Sequence, residues 1–419
     1  MKDPQSAGVL VVTPDLRPSL LSILQGLHDS GQLARVVTTL ALSGAQLDRL
    51  ARLPWGNRLH GLVGRRRLPD FLEGRTDCLW GRELIRATLS RTRHECLTHH
   101  VWRWAETGFD AAVAKRYAGR YDVVYGMEHS SLVTFTAQKA SGGRCILRQV
   151  TAHARTLAGL LQREARRFPE YLTPYHRLLL ADADTVAARK EREYALADLI
   201  VANSAYVRQS FIDQGIDARK VIAVPTGCPP VDAVGGRAGA GQGPLRFLYA
   251  GTLSLRKGFA DLLTAWQRFA RGAHAELWVA GPMEIPVANE MLVIPGIRYL
   301  GRLRRDTLSE TYRQADVVVL PTLGEGLAHT VLEALSYGLP VITTPESGCG
   351  DLVVDGENGW LIEAGHAESL VCALGQTIER REQLPEMGQR SREKAGAWSI
   401  AESNQTHLDY LQRFIAHNL

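Results

Sequence analysis

Short runs of β-branched and aromatic residues alternate with longer amphipathic stretches along nearly the whole chain, and this alternation leaves few architectures open. Beyond residue 244 the order is RFLYAG, a helical pattern from about Gly258 to Arg271, ELWVAG, IRYLG, a helical pattern near 305–315, VVVLP, another near 329–337, and PVITT. Runs that are apolar at consecutive positions describe strands buried on both faces. The helical stretches between them describe crossovers, so the segment predicts a parallel, doubly wound α/β sheet. The first half repeats the rhythm with longer interruptions: GVLVVTP, a helix over 18–29, ARVVTTL, an Arg-rich stretch at 58–118, then YDVVYG, RCILRQV, DLIVANS and KVIAVP. It reads as a second Rossmann-like domain carrying a helical insertion.

Residues 229–244, PPVDAVGGRAGAGQGP, are rich in Gly, Ala and Pro and lack hydrophobic periodicity, which marks a linker. The expected domains are therefore 1–235 and 236–398, with the insertion at about 58–118 and a last segment at 399–419. An amphipathic pattern from Ile400 to Ile415 has no strand after it and is free to pack back across the first domain. The length of 419 residues is ample for two cores. Cys78, Cys96, Cys145, Cys228, Cys349 and Cys372 are scattered without a CxxC pair or zinc-type spacing, so reduced thiols in a cytosol are expected. No apolar run approaches the roughly 20 residues that span a bilayer, and the opening VLVV lacks a signal-peptide core. A cytoplasmic location follows as the expectation.

The formal net charge of +5 conceals an asymmetry, with +10 on residues 1–240 and −5 on 241–419. Arg58, Arg65, Arg66, Arg67, Arg82, Arg86, Arg91 and Arg93 fall within 36 residues that hold four acids, with Leu84, Leu89, Trp102 and Trp104 among or just beyond them. Such a surface suits anionic lipid head groups, and a solvated insertion is the plainer alternative.

In an open α/β sheet the ligand lies beyond the carboxyl ends of the strands, so residues there are the site candidates. After VVVLP, Glu325 precedes a helix expected to begin near Leu327, whose free N–H groups would attract an anion, and Glu333 lies eight positions on. Carboxylates at such a place suit sugar hydroxyls. After RFLYAG, Gly251 and Gly258 bracket a loop presenting Arg256 and Lys257, suited to a diphosphate. In the first half Glu128 and His129 follow one strand and His153 the next, so that both histidines are expected to face one cleft. The GxxxxGK[ST] and GxGxxG fingerprints are absent, which argues against ATPase and dinucleotide readings.

At these residues the chain resembles the retaining GT-B glycosyltransferases, in particular glycosyltransferase family 4, the group 1 transferases. YAGTLSLRKGFADLLTAW is similar to the family's diphosphate loop, PTLGEGLAHTVLEALSYGLPVITT to its Glu-x7-Glu segment, and DLVVDGENGWLI to its closing strand. EREYALADLIVANS resembles the last strand–helix unit of the family's first domain, and His129 and His153 stand at its two strand-end histidine positions. The resemblance implies two Rossmann-like domains facing a central cleft. It implies that Glu325 contacts the donor sugar, Glu333 the ribose, Lys257 the diphosphate, and the backbone of Gly326 and Leu327 the sugar and phosphate. Thr252 stands where the family commonly has Arg, leaving Arg256 as the substitute, and TPDLRPS replaces the glycine pair after the first strand.

The implied reaction moves a sugar from a nucleotide diphosphate sugar to an acceptor hydroxyl with retention, in polysaccharide or glycoconjugate synthesis. No divalent metal and no cofactor is implied; the nucleotide sugar is a co-substrate. The partners are that donor, a sugar or lipid-linked acceptor, and an anionic membrane touched peripherally. A nucleotide-sugar epimerase on the same fold and a basic nucleic-acid-binding first half are the competing readings. No nucleic-acid motif accompanies the arginines.

Overall fold

Every strand pairing in the computed structural model is parallel among the described residues, which are 8–52, 66–89, 94–232, 243–270 and 274–416. The first sheet contains β1 (Val9–Val12), β2 (Leu33–Thr38), β3 (Thr76–Cys78), β4 (Val123–Met127), β5 (Arg144–Gln149), β6 (Leu199–Ala202) and β7 (Val221–Ala223). The second contains β8 (Leu245–Ala250), β9 (Ala275–Ala280), β10 (Ile297–Gly301), β11 (Val317–Leu320), β12 (Val341–Thr343) and β13 (Gly359–Leu361). Their orders are β3-β2-β1-β4-β5-β6-β7 and β10-β9-β8-β11-β12-β13. Each sheet reverses its winding once, between β1 and β4 and between β8 and β11, and a crevice opens at such a reversal. The registers are regular where the site is built, with Leu245 opposite Ala275 through to Ala250 opposite Ala280.

The strands are apolar on both faces because helices cover both. In the first domain Val9, Val11 and Tyr125 pack to one side with helix Pro18–Asp29, while Leu10, Val12 and Val124 pack to the other with Phe109, Tyr194 and Phe211. The second domain has one continuous buried cluster running from Cys228 to Ala395, with Trp266 and Tyr312 among its largest members.

The last helix, Ile400–Ile415, does cross back. Ser399 and Glu402 form a capping box at its start. Leu408, Leu411 and Phe414 join the core of the first domain. Gly26 makes the approach feasible, since a Cβ there would stand 2.1 Å from Leu408 Cδ1. His407 lies 3.1 Å from the Tyr125 hydroxyl, and Arg144 donates to the carbonyls of Phe414 and Ile415 at 2.5 and 2.8 Å. Where the chain passes between domains, Cys228 N–H donates to the Trp398 carbonyl at 2.8 Å, so the outward and return passages run side by side.

Two expectations change. The Arg-rich stretch is not purely a helical insertion: Thr76–Cys78 pairs with β2 as the edge strand, and only then come the helices Gly81–Leu89 and Glu95–Tyr117. Nor do all its arginines face solvent, because Arg66 and Arg86 clamp the buried carboxylate of Glu83 at 2.5 and 2.6 Å. The expected boundary at residue 235 lies outside the described residues, as do Arg58, Arg65, Arg91 and Arg93.

If the last helix belongs to the first core, Leu411→Ala empties a site only 1% exposed and costs about 2–5 kcal/mol. Urea unfolding reads this as a lower midpoint at unchanged slope. A midpoint within error of wild type would mean the helix is merely laid on the surface.

Candidate active site

Beyond β8, Gly251 donates its N–H to the Ala280 carbonyl at 2.8 Å, and the side chain of Lys257 lies across it, 3.3 Å from where a Cβ would be. Gly258 then takes φ +68° to cap helix Phe259–Phe269, and any Cβ there would stand 1.9 Å from the Pro321 carbonyl oxygen. A residue other than glycine could not bring the basic loop so close to the end of β11. The two loops are joined further by Arg256, whose carbonyl accepts from Leu323 N–H at 2.8 Å and whose guanidinium donates to the Gly324 carbonyl at 2.8 Å. As a result Arg256 Nη1 and Lys257 Nζ converge on Glu325 Oε1, at 2.8 and 3.2 Å. Thr252 offers its carbonyl to the Tyr249 hydroxyl at 2.7 Å.

The helix carrying Glu333 begins at His329, two residues later than expected. The reason is local: Glu325 N–H donates to the Glu346 carbonyl and Ala328 N–H to that of Ser347, both at 2.9 Å, so this stretch is bound to the turn after β12 instead of coiling. Leu327 packs into the core, leaving only its backbone for a ligand. Glu333 accepts from the buried Tyr312 hydroxyl at 2.9 Å, and Tyr312 is held by stacking on Tyr337. Thr330 donates to the Ala250 carbonyl at 2.8 Å, tying this helix to β8.

The two carboxyl edges meet at glycines. A Cβ on Gly326 would stand 1.6 Å from the Val150 carbonyl oxygen beyond β5, and one on Gly348 3.0 Å from Ser204 Oγ beyond β6. Flanking this line, Arg167 pairs with buried Asp261 at 2.5 Å and His176 with Glu284 at 3.2 Å, each across the domains.

On the first domain, Glu128 is buried and takes Lys190 at 3.1 Å, Gln149 at 2.8 Å and the Thr151 hydroxyl at 2.7 Å. Burial alone would raise its pKa, but Lys190, His129 and the Thr151 hydroxyl outweigh it and hold the carboxyl down to about 2. His129 has φ +73°, the only positive φ at a non-glycine among the described residues. Glu193 fixes this strained backbone by accepting its N–H at 3.0 Å. Burial and Lys190 push the His129 imidazole down to about 4, so it is neutral at pH 7.

His153 does not share that setting. It is 2% exposed, its Nδ1 accepts from Arg155 N–H at 3.2 Å to cap helix Ala154–Arg167, and its ring packs on Tyr194 and Phe211. The two histidines expected to face one cleft are set differently: the side chain of His129 is 40% exposed, while His153 is turned inward. The one Asp-x-Asp in the sequence, Asp182 and Asp184, sits on helix Pro174–Leu196, where Arg103 and Arg155 hold its two carboxylates. No group of three or more potential metal-ligating side chains occurs among the described residues.

Residues 244–380 match the family described as glycosyl transferases group 1. Among curated relatives, the D-inositol 3-phosphate glycosyltransferase of Geodermatophilus obscurus is 30% identical over 233 residues, which is 50% of this chain and 51% of the relative. The sulfoquinovosyl transferase SQD2 of Arabidopsis thaliana is 32% identical over 117 residues, 27% of this chain and 23% of the relative. The chain thus spans about half the length of relatives such as the first. Among solved structures, sucrose-phosphate synthase from Thermosynechococcus elongatus superposes with a TM-score of 0.61 at 16% identity, covering 98% of this chain and 100% of that one. Anabaena HepE in complex with UDP gives 0.60 at 16%, covering 97% and 99%. Residues 244–380 form a group 1 glycosyl transferase domain. The two-domain likeness at these identities is one of fold, and that fold is GT-B.

Beside His129 the first domain holds residues that the sequence did not single out. Lys190 and Glu193, one helical turn apart in Pro174–Leu196, read as ordinary surface charge, yet both are buried against Glu128 and His129. Burial pushes Glu193 up to about 7. The only available signal was charge on the helix face that must cover the sheet.

Burial lowers the pKa of His153 from 6.5 to about 4, so the unfolded chain takes up its proton first. Its contribution to stability is then present above pH 6.5 and lost as pH falls through that window to about 4. His153→Asn keeps a capping side chain. The wild type should therefore be more stable at pH 7, with its advantage shrinking from pH 6.5 to 4. A gap independent of pH would mean that His153 titrates as it does in water.

Proposed function

We propose that the chain is a retaining glycosyltransferase, moving a hexosyl or similar group from a nucleoside diphosphate sugar to an acceptor hydroxyl in polysaccharide or glycoconjugate synthesis. The observation that carries the reading is the convergence of Arg256 and Lys257 on Glu325 at the winding reversal of the second sheet. Two cations held in place by a carboxylate are oriented before any ligand arrives, as stabilisation of a departing diphosphate requires. The acceptor oxygen bonds the anomeric carbon as the bond to the diphosphate breaks, releasing the nucleoside diphosphate and a proton.

In this reading Lys257 and Arg256 meet the diphosphate, beside the backbone of Gly251 and Thr252. Glu325 and the backbone of Gly326 and Leu327 meet the donor sugar and phosphate, and Glu333 accepts from the ribose. His129, neutral and aimed from the opposite edge, accepts from a sugar hydroxyl, while His153 serves it indirectly by capping the helix behind. The phosphate charge is met by protein cations, so no metal or other cofactor takes part. HepE is described with UDP and with UDP-glucose, which makes a uridine nucleotide the first donor to try.

Lys257→Ala should lower turnover with the donor by about 10 to 150-fold, the value of one charge-assisted contact of about 1.5–3 kcal/mol. Wild-type activity should persist in excess EDTA, and the product should keep the donor's anomeric configuration by NMR. Activity of Lys257→Ala within twofold of wild type rejects the diphosphate role, and loss in EDTA restored by manganese rejects the metal-free mechanism.

We also propose that the enzyme works in the cytoplasm at the surface of an anionic membrane and takes a lipid-linked acceptor there. No described helix is long and apolar enough to cross a membrane. Leu84, Ile85, Leu97, Trp102 and Trp104 are exposed on helices Gly81–Leu89 and Glu95–Tyr117, beside Arg82 and Arg86. Apolar side chains flanked by cations, each worth about 1 kcal/mol near anionic lipid, suit that surface. The protein should co-sediment with anionic but not neutral vesicles, less so as salt rises, and Leu84→Ser with Ile85→Ser should release it. Equal recovery in the supernatant with both vesicle types rejects the membrane contact.

A further inference from the structure

Between helices Gly81–Leu89 and Glu95–Tyr117 and the carboxyl ends of β1, β2 and β3 lies a cavity of about 350 Å³. A smaller recess beside it is lined by His129, Arg189 and Lys190, and Glu106 stands in the wall of both. The cavity therefore runs along the same edge of the first sheet as His129.

Its cations are seated at a cost. Gly108 lies in the middle of a 23-residue helix, where glycine is about 1 kcal/mol worse than alanine. A Cβ at Gly108 would stand 1.7 Å from Arg82 Nη1, so the missing side chain is the space the guanidinium occupies. Arg82 is fixed there by donating to the Trp104 carbonyl at 2.8 Å and by lying 4.6 Å from that ring's centroid. Arg86 lies 4.2 Å from the Trp102 centroid and shares the Glu83 carboxylate with Arg66, two positive charges on one negative. Arg116 reaches the cavity from the end of its helix with no hydrogen bond or ion pair among the described residues. The lining is thus cationic overall.

The remaining walls suit a sugar. Trp80 is 56% exposed and Trp102 42%, offering flat apolar faces to the C–H side of a pyranose ring. Glu106 has no hydrogen bond or ion pair among the described residues, although it is set into the wall. Burial pushes it up to about 7 against the pull of Lys190, so near neutrality it both donates and accepts.

We propose that this cavity is the acceptor subsite and takes a pyranose bearing an anionic group, with Arg82, Arg86 and Arg116 receiving the anion and Glu106 hydrogen-bonded to a ring hydroxyl on the side of His129. The inference rests on the glycosyltransferase reading for the name acceptor, but the binding it requires does not depend on turnover. A phosphate ester and a uronic carboxylate share the chemistry the arginines recognise.

Calorimetric titration of the full chain with glucose 6-phosphate, glucuronate, glucose and inorganic phosphate tests the proposal, with UDP titrated separately. At least one of the two anionic sugars should bind ten-fold or more tighter than both glucose and inorganic phosphate, and which one does so distinguishes the two anions. Arg82→Gln and Gly108→Ala should each weaken that binding about ten-fold, Glu106→Gln should weaken it less, and all three should bind UDP as the wild type does. Equal binding of glucose and the anionic sugars overturns the proposal, and so does inorganic phosphate binding as well as they do, or neither anionic sugar binding at all. Sugar binding in a protein that binds no nucleotide would leave the cavity assigned and overturn the glycosyltransferase reading instead.

Discussion

A parallel strand cannot return to its neighbour through a tight turn, and everything at the cleft depends on that. Each crossover carries the chain back beneath the sheet, so every strand delivers its next residues to the same edge. Gly251, Glu325 and Thr344 reach one rim of the second domain, and Glu128, Val150 and Asn203 one rim of the first, although they are far apart in sequence. What the strands cannot supply is closeness. That comes from positions without side chains: Gly258 lets the basic loop lie on the Pro321 carbonyl, and Gly326 lets one rim rest on the Val150 carbonyl of the other.

The charges at the two rims are handled differently. On the second domain Arg256 and Lys257 share one partly exposed carboxylate, Glu325, an arrangement that an anionic ligand can enter by competing for the cations. On the first domain Glu128 and Lys190 are both buried and enclosed by further donors, and such a pair resists rearrangement because either charge left alone would be stranded. The movable charges therefore lie on one side of the cleft and the fixed ones on the other. His129 belongs to the fixed side, its strained backbone fastened to Glu193 and its imidazole kept neutral by burial and Lys190.

Much of this is legible in the chain. The apolar runs locate nearly every strand, because a strand covered on both faces has no polar alternation to blur it. The helix at Ile400–Ile415 is legible from its amphipathic pattern, which is a local property. The loops after β8 and β11 are legible for a similar reason, since their glycines and charged residues stand directly at strand ends. β3 was hidden because Thr76–Cys78 is three residues long and half-exposed, too short for any period to show. Lys190, Glu193 and Glu106 were hidden because a charged residue on a helix announces itself as solvated, and only the packing of that helix decides otherwise. His153 was misplaced for the converse reason. It does stand at a strand end, but Tyr194 and Phe211, brought from two other helices, draw its ring inward.

The return of the last helix also sets an order of assembly. Leu408, Leu411 and Phe414 complete an apolar surface whose other members, such as Val9, Leu24 and Leu27, are synthesised before the second domain. A chain growing from its N-terminus must therefore carry that surface uncovered while the whole second domain is made and folded. Of these two domains the earlier to emerge is the later to be finished, and until then the nascent chain presents a sticky face to its surroundings and to any chaperone that waits there.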